Sequence, residues 1–177
     1  MIAGIIANTG KENIAVATET VADVLKEERF ECLISDTIFD LASPEMKAKF
    51  TFLNDDLLIQ KSDIIISLGG DGTLLNTASM TLESGKPIAG VNFGKLGFLT
   101  EINKNTLNET FREIRNGEYF LEERIVLKGV SDDLNHCSVL GINDIVIEKG
   151  GWPKMMAINL FANGELVSEF SADGLII

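Results

Sequence analysis

The chain has 177 residues, 45% of them apolar, and a net charge of −12, enough for one ordinary domain or one domain and part of another. Such an acidic chain offers no basic stripe to release counterions, which argues against a nucleic-acid or anionic-membrane surface. No apolar run is long enough to span a bilayer. The two cysteines, Cys32 and Cys137, are too few for a disulfide framework and read as reduced core thiols. With no basic leader before Ile2–Asn8, the expected location is cytoplasmic.

Residues 2–7 read as a first strand. Ile14, Ala17, Val21, Val24 and Leu25 then recur at helical spacing, and Phe30–Ser35 suggests a second strand. The stretch 36–62 is less regular and fits one or two short helices. Asp63–Leu68 is a β-branched-rich run that reads as a buried parallel strand. A helix is expected from Leu74 to Leu82, capped by Thr73 at its start and closed by Gly85 before Pro87. Ile88–Asn92 is another short strand, and Thr106–Asn116 is amphipathic through Leu107, Phe111 and Ile114. This alternation predicts an α/β domain over 1–120, with a parallel sheet and helices on its faces.

After about residue 120 the period changes. Glu122–Val130, Cys137–Glu148, Lys154–Ala162 and Glu165–Ser171 read as successive strands, with Asn163-Gly164 as a hairpin turn. Residues 121–177 are therefore expected to begin an antiparallel all-β domain. The sequence stops at Ile177 inside an apparent strand, so a fragment, or a chain completed by something else, is expected.

Gly69-Gly70-Asp71-Gly72-Thr73 follows the Asp63–Leu68 strand directly. Its glycines let backbone approach a ligand closely, and the first amides of the next helix would face an anion. The string is neither a P-loop, lacking Gly-Lys-Ser/Thr, nor a Gly-x-Gly-x-x-Gly fingerprint. On spacing alone, a tight turn without chemistry is as good a reading as a phosphate site. Asp71, an acid in a phosphate-friendly setting, fits proton or metal handling better than phosphate binding.

Three further segments give this loop company: Asn92-Phe93-Gly94-Lys95-Leu96-Gly97-Phe98-Leu99-Thr100, Asn143-Asp144-Ile145-Val146-Ile147 and Ser171-Ala172-Asp173-Gly174-Leu175-Ile176. In this order the four motifs resemble those of the NAD kinases. That family transfers the terminal phosphate of ATP, or of polyphosphate in some members, to the 2′-hydroxyl of the adenosine ribose of NAD, giving NADP. The resemblance implies that Asp71 is the catalytic proton acceptor. It implies a nucleotide-binding set of Gly70, Gly72, Thr73, Phe98, Leu99, Asn143, Asp144 and Asp173. It also implies Mg²⁺ or another divalent cation on the donor phosphates, NAD and ATP as partners, and a homo-oligomer, dimer or tetramer.

Departures from the family pattern lie at Phe93, where many members have Thr, and at Lys95, where they have His, Arg or Asn. Asn76, basic in some members, is given no role. Without the resemblance, Phe98 reads as ordinary core, Asn143-Asp144 as a polar break and Asp173-Gly174 as a bare turn. Lys95 reads as a phosphate contact or a solvated loop lysine, His136 as a surface residue, and Trp152 as a packing anchor or oligomer contact. The alternative functions are a diacylglycerol-type lipid kinase, for which no basic membrane patch is offered, and a catalytically silent nucleotide-binding fragment.

Overall fold

Five short apolar runs build one parallel sheet: β1 (Ile2–Ala7), β2 (Glu31–Ser35), β3 (Thr51–Leu53), β4 (Ile64–Leu68) and β5 (Ile88–Val91), in the order β3-β2-β1-β4-β5. The computed structural model describes residues 1–94, 97–131, 138–151 and 153–177. Lys95, His136, Cys137 and Trp152 lie outside the described residues, as do the readings placed on them.

The sheet is covered on both faces, which is why β1 and β4 are apolar almost throughout. On one face Ile5, Ile66 and Leu68 pack with Val21 and Leu25 of α1 (Ile14–Glu27) and with Phe111 of α5 (Leu107–Asn116). On the other, Ile6, Leu33 and Ile65 meet Leu58 and Ile59 of α3 (Asp55–Lys61). That helix lies close over β1, because a Cβ on Gly4 would sit 2.4 Å from both Leu58 Cδ2 and Ser62 Oγ.

The irregular stretch resolves into small pieces. A 3-10 turn spans Asp36–Leu41, and α2 (Pro44–Lys49) starts with proline and is capped by Ser43, whose Oγ accepts from the Met46 amide at 3.0 Å. Asn54 caps α3 in the same way, accepting from the Leu57 amide at 3.0 Å.

The helix after the glycine loop, α4, spans Asp71–Thr81 and has Gly70 as its N-cap. This corrects the expected start at Leu74 with Thr73 as cap. The Thr73 amide already donates to Gly70 O at 2.9 Å, so the first turn has closed by that residue. The Thr73 hydroxyl instead accepts from Asn8 Nδ2 at 3.4 Å. α4 is fastened to β4 by a buried polar pair, Ser67 Oγ and Thr77 Oγ1, 2.9 Å apart. A short 3-10 turn, Leu82–Ser84, then ends at Gly85 with φ of 61°, as the sequence suggests.

Residues 1–123 form one compact unit and 124–177 a second. In the second, β6 (Leu127–Val130) pairs with β7 (Ser138–Gly141), β8 (Val146–Glu148) with β11 (Gly174–Ile176), and β9 (Met156–Ala162) with β10 (Glu165–Ala172), all antiparallel. The β9–β10 turn is Asn163-Gly164, with φ of 52° and 84°, the left-handed pair that a type I′ hairpin requires. Over the described residues the expected single strand Cys137–Glu148 is two, β7 and β8, separated by residues 142–145, which include Asn143 and Asp144.

Candidate functional site

β1 and β4 are neighbours, yet the chain leaves β1 toward β2 and leaves β4 toward β5. Connections that diverge at the carboxyl ends of adjacent parallel strands open a crevice, the usual ligand position in such sheets. The Gly69–Thr73 loop and the segment Asn8–Lys11 border this crevice. Asn8 joins the two strand ends: its amide donates to Leu68 O at 3.2 Å, and its Oδ1 accepts from the Gly10 amide at 3.0 Å. Lys11 reaches the loop, with Nζ 3.8 Å from where a Cβ on Gly70 would lie.

Asp71, the first residue of α4, is held by a turn far along the chain. Its Oδ2 accepts from the Phe98 amide at 2.8 Å. Its Oδ1 accepts from the Leu99 amide at 3.1 Å and the Thr100 hydroxyl at 3.3 Å. The Phe98 amide, against some desolvation and aided by Leu99 and Thr100, holds the carboxyl below the ordinary carboxylate value of 3.8. Asp71 is therefore ionised at neutral pH, able to accept a hydrogen bond and then a proton. The ring of Phe98 is 99% exposed, which removes its reading as ordinary core and leaves a bare aromatic face beside the acid.

Two clefts flank the loop. One, of about 320 Å³, is lined by Asn8, Thr9, Thr37, Asp55, Gly72 and Asn76, among others. The other, of about 310 Å³, lies on the Lys11, Gly69 and Phe93 side. In the first, Asp55 Oδ1 is buried and meets no hydrogen-bond donor among the described residues. No group of three or more His, Cys, Asp or Glu close enough to hold a metal occurs among the described residues.

The structure brings Asp71, Phe98 and Leu99 together, with Gly70, Gly72 and Thr73 alongside by chain continuity. Asn143, Asp144 and Asp173 belong to the second unit, and all three are exposed. There Ile145 exchanges hydrogen bonds with Ile177, while the Lys149 amide donates to Asp173 O at 3.0 Å. Asn143-Asp144 and Asp173 therefore stand at opposite ends of the β8–β11 ladder. Asp144 and Lys149 are separated by roughly 16 Å of strand at about 3.3 Å per residue. The Asp173 carboxylate pairs with Lys149 Nζ at 2.5 Å.

Comparison with known proteins matches residues 3–119 to the ATP-NAD kinase N-terminal domain. The chain belongs to the NAD kinase family. It is 34% identical over 180 residues to an NAD kinase of Heliobacterium modesticaldum, covering 98% of this chain and 60% of the relative. An NAD kinase of Thermoanaerobacter sp. (strain X514) is 36% identical over 176 residues, with 98% and 61% covered. The chain thus spans about 60% of the length of these relatives. Its fold is that of yeast NADH kinase complexed with NADH, at a TM-score of 0.78 and 20% identity, covering 99% of this chain and 56% of that one.

Within this NAD kinase fold, the motif reading overlooked Asn8, Lys11 and Asp55, and gave no role to Thr100, the last residue of the Asn92–Thr100 motif. A signal existed for the first two: they follow an apolar parallel strand directly, where a switch-point crevice recruits its loops. For Asp55 no local pattern exists, and the contact of Thr100 with Asp71 is made by the tertiary fold.

Proposed function

We infer that this chain supplies the loop and the acid of an NAD kinase. The reaction is transfer of the terminal phosphoryl group of ATP, or of polyphosphate, to the 2′-hydroxyl of the adenosine ribose of NAD, giving NADP. The observation that carries this reading is the ionised Asp71, pinned at the crevice mouth beside the exposed ring of Phe98, in a chain of this family.

A ribose hydroxyl is a far weaker acid than a carboxylic acid, so Asp71 does not strip its proton beforehand. It accepts the hydroxyl's hydrogen bond and fixes its direction. It takes the proton late, as the new O–P bond forms and the bond to the leaving phosphate breaks. Gly70 and Gly72 let donor phosphates approach the start of α4, whose amides and positive dipole end favour them. Lys11 supplies local positive charge in a chain whose net charge is −12. Asn8, Thr37 and Asn76 line the adjoining cleft with polar groups suited to the donor.

A divalent cation would fit this arrangement as an ion carried on the donor phosphates, with Asp55 the carboxylate in the cleft. When bound, it neutralises the charge that develops on the transferred group. Phe98 offers an aromatic face to the dinucleotide, with Leu99 beside it. Asn143 has both donor and acceptor for an adenine edge. Asp144 and Asp173 can accept from ribose or amide groups. The exposed Val139, Ile147, Phe161 and Leu166 of the second unit support burial in a homo-oligomer, and the free thiol of Cys32 supports a reducing, cytoplasmic setting.

The test is incubation with NAD, ATP and Mg²⁺, with NADP detected by an NADP-specific dehydrogenase. NADP formation that falls at least about a hundredfold in Asp71→Asn is expected, given what a general base contributes. No NADP from full-length protein, with Asp71→Asn behaving like the unaltered protein, overturns the reading. Binding of NAD without turnover would mark a silent nucleotide-binding chain.

A further inference from the structure

Thr100 has no role in the reading above, yet it is fully buried in contact with the Asp71 carboxylate. Its hydroxyl accepts from the Gly97 amide at 3.3 Å and donates to Asp71 Oδ1 at 3.3 Å. The methyl side faces β5, where a Cβ on Gly90 would lie 3.0 Å from Thr100 Cγ2. A third contact closes the arrangement, because a Cβ on Gly97 would fall 2.0 Å from Asp71 Oδ1. The residue at 97 therefore has to be glycine for the carboxylate to lie where it does.

A carboxylate has about four acceptor positions, two on each oxygen. The turn fills two on Oδ1, from Leu99 and Thr100, and one on Oδ2, from Phe98. We propose that Thr100, with Gly97, is a positioning residue that saturates Oδ1 and so makes Oδ2 the oxygen that meets the acceptor hydroxyl. The reactive side of the acid is then chosen by a threonine that touches no substrate. In its absence the Phe98 and Leu99 amides still hold the carboxylate, but an acceptor position opens on Oδ1, so the hydroxyl can meet either oxygen and loses its single line of attack. The catalytic part of this proposal rests on the kinase reading; the contact itself does not.

The experiment titrates the 177-residue chain labelled with ¹³C at the aspartate carboxyls, and runs the NADP assay on full-length protein in parallel. Thr100→Val keeps shape and removes the hydroxyl. Its Asp71 signal is expected to titrate at higher pH than in the unaltered chain, because a hydrogen bond to the charged form is lost. Its kcat should fall about tenfold, inside the hundredfold that a misplacement of about 1 Å can cost, with KM for ATP unchanged. Thr100→Ser restores the hydroxyl, and should recover both the titration and kcat. Gly97→Ala, which displaces Oδ1 directly, should lower kcat without altering the Thr100 side chain, and stands in if Thr100→Val does not fold.

An unshifted Asp71 titration in folded Thr100→Val, or Thr100→Ser behaving like Thr100→Val, overturns the proposal. So does a Gly97→Ala enzyme with undiminished kcat. If full-length protein forms no NADP, the kinase reading fails, while the titrations still decide whether the Thr100 hydroxyl governs Oδ1.

Discussion

The amide of Phe98 donates to Asp71 Oδ2 at 2.8 Å, across 27 residues of sequence. This bond ties the start of α4 to the turn after β5, and it makes the acid and the exposed ring parts of one unit. Asparagine at position 71 offers one oxygen where the carboxylate offers two, so an amide of the turn loses its acceptor. Asp71→Asn should therefore weaken dinucleotide binding as well as turnover. Calorimetry with NAD on both proteins, beside the NADP assay, checks this; binding unchanged by the substitution would separate the turn from the ligand.

The same contact predicts an acid-dependent stability difference. Asp71 has a folded-state pKa below its ordinary 3.8. Its contribution is present above the unfolded value of about 3.9 and is lost as pH falls through the folded one. Thermal melts of unaltered and Asp71→Asn protein should differ at pH 6 and converge on acidification below about pH 4. A difference that grows in acid would contradict the sign.

Two glycines should part company. A Cβ at Gly4 meets Leu58 and Ser62 at 2.4 Å, whereas one at Gly72 meets nothing within 4 Å. Gly4→Ala overpacks the contact between β1 and α3 and should cost about 1–3 kcal/mol in urea denaturation. Gly72→Ala lies within a helix turn and should be neutral or stabilising by up to about 1 kcal/mol. Loss of activity in a fully stable Gly72→Ala would then report close approach of a ligand to that backbone.

Thr77→Val strands the Ser67 hydroxyl in the layer between β4 and α4, where both residues are buried. An unsatisfied buried donor costs about 1–3 kcal/mol, readable in the denaturation midpoint. Ser67→Ala combined with Thr77→Val should recover part of that loss. A double variant no more stable than Thr77→Val alone would show that the pair matters by packing and not by its hydrogen bond.

Lys11→Ala removes the ammonium that stands beside Gly70. KM for ATP should rise about fivefold, the equivalent of about 1 kcal/mol, with the melting temperature unchanged. Cys32 offers a separate check on the core. Burial, aided by Asp23 and opposed by Lys26, pushes its thiol up to about 12, so it should resist alkylation at pH 8 until the chain unfolds, as peptide mapping of the adduct would show.

The parts of the fold that were legible are those with a repeating physical signal. α1 buries Ile14, Val21 and Leu25 at helical spacing, and Asn163-Gly164 announces its hairpin through two residues that tolerate positive φ. The segment from 36 to 62 was opaque because β3 is three residues long and α3 buries only Leu58 and Ile59, too few positions to set a period. The early start of α4 was hidden by Gly72, a poor helix former. The Gly70 carbonyl and the Phe98 turn compensate for it, and only the first of these is local. Within the candidate site, Asp71 stood out because an acid is unexpected there. Thr100 and Asp55 carry no such mark, since threonines and aspartates are common in loops and at helix starts.

Gly97 has a bearing on how such a site could be moved between proteins. The five residues Gly69–Thr73 look self-contained, and grafting them onto another parallel sheet would be the obvious experiment. Yet the space around Oδ1 is cleared by a glycine 26 positions downstream, and three of the acid's hydrogen bonds come from the residues next to it. A transplant would need both segments, carried on neighbouring strands at the same offset. The portable unit is the pair β4–β5 with both of its outgoing loops.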